Sequence, residues 1–230
     1  MNKNTLTNAQ NEAASILEGP LLIIAGAGAG KTKTLTHRIA NLIHSGVRPE
    51  NILAITFTNK AAKEMKERVK ALLQKENVHG LPWVGTFHAL GAMICRENAH
   101  MLKRTKLFCI MDEADTLAIL KEIIISKNLD PKQLEPKKVK GIISRMKGDD
   151  VSASDLKQRA NSYVEEQVAD IWEKYEEALI KENGVDFDDL LVWPVKLIEK
   201  DAGLQKKYQE QFKYIHIDEY QDTNALQYKL

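Results

Sequence analysis

The stretch that decides the fold is Leu21-Leu22-Ile23-Ile24-Ala25-Gly26-Ala27-Gly28-Ala29-Gly30-Lys31-Thr32. Its apolar run Leu21–Ile24 predicts a buried strand of the kind found in parallel sheets covered on both faces. Glycines alternating with alanines then let the chain turn sharply with no side chain in the way. Lys31 and Thr32 open a helix, signalled by the spacing of Leu35, Ile39, Leu42 and Ile43 and by the stop at Gly46. Strand, glycine loop, Lys-Thr and helix make a phosphate cradle. The backbone N–H groups of residues 25–33 (Ala25, Gly26, Ala27, Gly28, Ala29, Gly30, Lys31, Thr32 and Lys33) and the positive end of the helix face the anion. Lys31 is expected at the β/γ-phosphates and the Thr32 hydroxyl on magnesium. Ala25 departs from the general pattern, which has glycine there.

Outward from the loop, Thr7 and Gln10 have the spacing of a capping box, at the start of a helix that runs to Glu18 and ends at Gly19-Pro20. The competing use of Gln10 is to read an adenine edge, since an amide offers one donor and one acceptor group. Downstream, Asn51–Phe57 predicts a second buried strand, and Ala62, Met65, Val69 and Leu72 mark one face of a helix after it. A third short strand, Trp83–Thr86, leads into Phe87, His88 and a helix from about Ala89. The β-α-β-α order is that of an open parallel sheet, whose ligands sit at the carboxyl ends of the strands. Thr56, Phe57, Thr58 and Asn59, and likewise Thr86, Phe87 and His88, fall at such ends. Aromatic rings beside hydroxyls and amides suit stacking on unpaired bases, although a phenylalanine beside a strand is equally a core residue.

From Arg96 to Asn183 the alternation gives way to helices, expected over 112–126, 135–145, 154–161 and 164–181. Basic residues gather at Lys127–Lys147 and acidic ones at Glu165–Glu182, either as solvated faces or as a nucleic-acid surface. The α/β pattern resumes with an apolar helix after Asp186 and a last strand, Tyr214–Ile217, followed by Asp218 and Glu219. An acid at a strand end near a phosphate loop can hold magnesium, and a following Glu can orient and deprotonate water. A competing run, Leu107–Met111 followed by Asp112-Glu113-Ala114-Asp115, is a second apolar stretch ending in acids. It lies where the alternation has stopped, and its acids equally suit the first turn of a helix, so Asp218 and Glu219 are the expected partners of the loop.

The chain of 230 residues is long enough for one large or two smaller domains, and 43% hydrophobic with 28% charged residues is ordinary for a soluble globular protein. Its net charge of +1 neither demands nor excludes nucleic acid. The two cysteines, Cys95 and Cys109, have neither metal-site nor disulfide-framework spacing, and no apolar signal segment opens the chain, so a cytoplasmic setting is expected. No stretch suits a membrane.

Taken together, the loop, Thr56–Ala62, Thr86–His88 and Asp218–Asn224 form an ordered set. The chain resembles the N-terminal part of superfamily 1 DNA helicases of the UvrD/Rep/PcrA type. Ala25–Thr32 matches that superfamily's A-x-x-G-x-G-K-T loop, with Ala29 where serine is usual. Leu6–Gln10 is similar to the Q motif, which makes Gln10 an adenine reader. The resemblance implies a RecA-like parallel sheet over 1–95 and 184–230, interrupted by a mostly helical 1B insertion over 96–183 that includes Asp112–Asp115. It implies Lys31 and Glu219 as catalytic residues, with Thr32 and Asp218 on Mg2+, in an ATP-dependent helicase moving 3′→5′ in replication or repair. Thr56, Phe57, Asn59, Lys60, Thr86, Phe87 and His88 would grip single-stranded DNA, at single/double-strand junctions among other places. Family members continue well past the position of Leu230 into the 2A and 2B domains, with motif III and catalytic arginines, and no arginine follows Arg159 here. The alternative is a nucleotide-dependent DNA-binding module with negligible ATPase of its own.

Overall fold

The computed structural model describes residues 6–74 and 80–230. Helix α1 (Asn8–Ser15) precedes the glycine loop, and α2 (Lys31–His44) follows it. After a short 3-10 turn come β1 (Ile52–Thr56), α3 (Asn59–Leu73), β2 (Trp83–Thr86) and α4 (Phe87–Glu97). Then follow β3 (Cys109–Ile110), α5 (Glu113–Ser126), α6 (Pro136–Gly148), α7 (Ala153–Arg159), α8 (Tyr163–Lys181) and β4 (Gly184–Val185). The chain closes with α9 (Asp189–Lys200), α10 (Ala202–Gln211), β5 (Tyr214–Ile217) and α11 (Ala225–Lys229). It packs as two compact units. One comprises the described residues of Met1–Phe87 with Asp201–Thr223, the other His88–Lys200 with Asn224–Leu230. These units place residues 88–95 and 184–200 with the helices, whereas the boundaries expected from sequence fall at 95/96 and 183/184.

In the first unit β1 lies between β2 and β5, all parallel. Every residue of β1 is buried, as expected of a strand covered on both faces. Ile39, Leu42 and Ile43 of α2 and Met65, Val69 and Leu73 of α3 pack with Ile52 and Ala54 as its core. Those positions recur at helical spacing, which is why the sequence predicts both helices well.

The expected strand over Leu21–Ile24 is not formed. The segment carries no ladder bonds, and Leu22 and Ile24 are 67% and 87% exposed. A cavity of about 940 Å3, lined by residues 20–25 on one side and 215–221 on the other, separates it from β5. An apolar run becomes a strand only when a neighbour completes its hydrogen bonds, and here that position beside β5 is open.

The second unit is helical apart from the parallel β3–β4 pair. Leu120 and Ile124 of α5, Val139 and Ile143 of α6, and Ile171, Trp172, Tyr175 and Leu179 of α8 form its core. Asp112 caps α5 by accepting from the Asp115 N–H at 2.9 Å, with Asp115 reciprocating, so the competing acidic run is a capping box. The strand expected over Leu107–Met111 shrinks to Cys109–Ile110. The basic run is not a uniform solvated face: Lys127 pairs with Asp170 at 3.0 Å, and Lys147 is buried. Among the described residues no helix is long and apolar enough to cross a membrane.

Candidate nucleotide and DNA sites

The loop is shaped by two left-handed glycines. Gly28 has φ +75° and Gly30 φ +87°, where side-chain-bearing residues are strained, and Ala29 N–H closes the turn on Gly26 O at 3.2 Å. Gly30 is also the N-cap of α2 and offers no capping side chain. The first-turn N–H groups of Lys31 and Thr32 have no intrahelical acceptor, which suits an anion. Lys31 folds back so that its ammonium donates to Ala25 O at 3.2 Å and Gly26 O at 3.5 Å, within the same loop. Ala25, Gly26, Ala27, Gly28 and Ala29 are all exposed, and Lys33 is half-buried.

Thr32 Oγ1 donates to Asp218 Oδ2 at 2.9 Å. The ladder between β5 and β1 continues one residue further, through Asp218 N–H to Ile55 O at 2.9 Å, and so fixes the buried carboxylate opposite the loop. A hydroxyl and a carboxylate are the hard oxygen donors magnesium takes, with phosphate oxygens and water completing its shell, so the residues present fit the ion. Glu219 is held at φ +55°, ψ +47°, and Gln221 Nε2 donates to its carboxylate at 2.7 Å. A glutamate in the left-handed region costs about 1–2 kcal/mol, and such strain gathers at functional sites.

Both groups of the Gln10 amide are engaged. Its oxygen accepts from Thr7 N–H at 3.0 Å, completing the capping box, and its Nε2 donates to Ala29 O at 2.7 Å. Gln10 thereby ties α1 to the phosphate loop. A Cβ on Gly30 would stand 2.7 Å from that Nε2, a second reason for glycine there.

At the β1 rim, Thr56 is buried and donates to Thr58 O at 3.0 Å, and Thr58 caps α3 by accepting from Ala61 N–H at 3.1 Å. Asn59 and Lys60 are exposed in the first turn of α3. Thr86 is buried at the end of β2. Phe57 is half-buried and stands edge-on against Phe87 at 5.8 Å between centroids. Phe87 is 2% exposed, and its ring supports Phe57 from within the core.

In the helical unit His88 is half-buried, and its ring meets Phe187 edge-on at 5.3 Å. Phe187 is 47% exposed, an aromatic residue that the sequence reading passed over. Its only local signal is an apolar residue enclosed by Asp186, Asp188 and Asp189, and that becomes informative once Asp186 and Asp189 are seen to be buried.

This combination of parallel sheet, glycine loop and acidic strand end is that of a nucleotide-phosphate-binding α/β domain. The family model for the UvrD/REP helicase N-terminal domain matches residues 6–230, and the chain belongs to that family. The chain is 43% identical to the ATP-dependent DNA helicase PcrA of Leuconostoc citreum, covering all of this chain and 31% of that protein. It is 42% identical to the protein of the same name from Bacillus subtilis, over 98% of this chain and 30% of the relative. Thus it spans about a third of the length of the curated relatives it matches.

Proposed function

We propose that the chain is the nucleotide- and single-stranded-DNA-binding part of an ATP-dependent DNA helicase. The observation that carries this reading is the contact of Thr32 with Asp218, which joins the phosphate loop to a strand end 186 residues away. In the proposed site Lys31 leaves the loop carbonyls for the β/γ-phosphates, residues 25–33 cradle them, and Gln10 exchanges its Ala29 contact for the adenine edge. Thr32 and Asp218 would hold Mg2+, which would supply positive charge to the phosphates when bound. Glu219 orients and deprotonates the attacking water. Phe57, Asn59 and Lys60 contact single-stranded DNA, as does His88 with Phe187, while Thr56 and Thr86 shape the rims. Movement 3′→5′, action at single/double-strand junctions, and the division into a RecA-like domain with a helical 1B insertion all follow from the family likeness and belong to the same proposal.

Efficient hydrolysis also needs cationic groups on the γ-phosphate, worth about three to five decades in rate. No arginine follows Arg159 in this chain, and the 2A and 2B domains of longer relatives are the proposed source. Hence these 230 residues bind ATP with little turnover, and the longer parent hydrolyses it. ATPase assays with and without single-stranded DNA test this on both proteins. DNA-stimulated turnover confined to the parent is expected; turnover by these residues at the parent's rate would refute the division of labour.

A further inference from the structure

Phe187 is flanked by Asp186 and Asp189, both buried in the helical unit, and by the half-buried Asp188. Asp186 is fully buried. It accepts from Tyr175 Oη at 2.9 Å, Lys147 Nζ at 3.2 Å and the Asp189 N–H at 2.9 Å. Asp189, 1% exposed, accepts from Lys147 Nζ at 2.7 Å. Asp188 takes the Ser144 hydroxyl at 2.6 Å and the Lys140 ammonium. Lys147, itself 6% exposed, also meets Glu176 at 2.8 Å. The aromatic ring is the one exposed side chain of the four, held edge-on to His88.

The chemistry of this cluster is that of a clamp. Three carboxylates near one point would suit a cation, and the Lys147 ammonium is that cation; among the described residues no His/Cys/Asp/Glu group has a metal-binding arrangement. Burial opposes the charge on Lys147, yet Asp189, Asp186 and Glu176 together hold its pKa well above the ordinary lysine range. A buried ion cluster is a poor source of net stability compared with apolar packing, because desolvation offsets attraction. What it supplies is fixed geometry, since the bonds to Lys147 hold Asp186 and Asp189 in one arrangement, with Asp189 Oδ2 left without a hydrogen-bond partner. Lys140 and Lys147 lie seven residues apart on α6, two turns on one face, so a single helix holds both sides of Phe187.

We propose that Lys147 is a positioning residue for DNA binding: by clamping Asp186 and Asp189 on either side of Phe187, it holds that ring out beside His88 to receive a base. The proposal rests on the reading of His88 and Phe187 as a stacking surface, and the test separates the two. Binding of a fluorescein-labelled thymidine 16-mer is measured for the chain, for Phe187→Ala, for Lys147→Met and for the double variant, with circular dichroism melts as the folding control. Each single substitution is expected to weaken binding about 5- to 150-fold, the range for one stacked base, and the double variant to bind no more weakly than Phe187→Ala. If Phe187→Ala binds normally, the stacking surface itself is wrong. If it binds weakly while Lys147→Met binds normally, the clamp is wrong. A further loss from Lys147→Met in the Phe187→Ala background overturns the clamp as well, because a general structural defect would act in both. Should Lys147→Met fail to fold, Tyr175→Phe, which removes one bond to Asp186, decides. The clamp requires a several-fold loss that disappears in the Phe187→Ala background, and unchanged affinity refutes it.

Discussion

Replacing Gly91 by alanine is the sharpest packing test of how His88 and Phe187 are brought together. Gly91 lies on α4 one turn after His88, and Leu190 lies on α9 three residues after Phe187. A Cβ at Gly91 would stand 2.8 Å from the Leu190 carbonyl carbon, nearer still to its oxygen, and 3.4 Å from Pro194 Cγ. Ordinary carbon contacts are about 3.5–4.0 Å, so the Leu190 peptide has to retreat by more than about 1 Å, and a backbone carbonyl cannot rotate out of the way as a side chain would. Alanine in a helix interior gains about 1 kcal/mol over glycine, against about 1–3 kcal/mol or more for overpacking. Because the clash is with backbone, the second effect wins. Gly91→Ala is expected to destabilise the chain by about 2 kcal/mol in urea unfolding and to weaken binding of a thymidine 16-mer. A variant as stable as the parent, with unchanged DNA affinity, would refute the close α4–α9 approach as the device that seats His88 on Phe187.

Three further outcomes follow from individual residues. His216 is 3% exposed and accepts from Arg38 Nη1 at 3.2 Å, and burial, followed by the Arg38 charge, depresses its pKa from 6.5 to about 4. Its stabilising contribution is therefore present above pH 6.5 and lost as pH falls toward 4; between pH 7 and 5 it should cost about 2 kcal/mol in urea unfolding, a loss that His216→Gln should flatten, and an equal loss in that variant would refute it. Phe57→Ala should weaken single-strand binding by about 1–3 kcal/mol in fluorescence anisotropy, and unchanged binding would return Phe57 to the core. Asp112→Ala should lower stability by about 0.5–2 kcal/mol through loss of the α5 cap while leaving nucleotide binding intact; lost nucleotide binding would contradict its assignment as a cap.

Much of the fold is legible because its signals are local. The α2 and α3 faces follow helical spacing, and the caps at Thr7 and Asp112 lie three residues from their partners. The β1, β2 and β5 strands are marked by apolar runs between turn residues. What escaped depends on distant neighbours. Leu21–Ile24 has the composition of a strand, but a ladder is a property of two segments, and the side facing β5 is a cavity. Phe57 and Phe87 look alike at their strand ends, and only packing shows that the second supports the first. Lys147 reads as one more member of a basic run; its burial comes from carboxylates 29 to 42 residues further on, beyond any helical or strand period. In the phosphate site the residue types were readable, whereas the Gln10–Ala29 contact and the left-handed turn at Glu219 were not.

The central claim is that residues 25–33 with Asp218 bind a magnesium nucleotide. Titration of a fluorescent ATP analogue into the chain and its Lys31→Ala variant, with and without Mg2+, tests it most directly. The account predicts magnesium-dependent binding by the unaltered chain and its loss on removing the Lys31 ammonium. Binding that is absent from the chain, or indifferent to both Lys31 and magnesium, would contradict it.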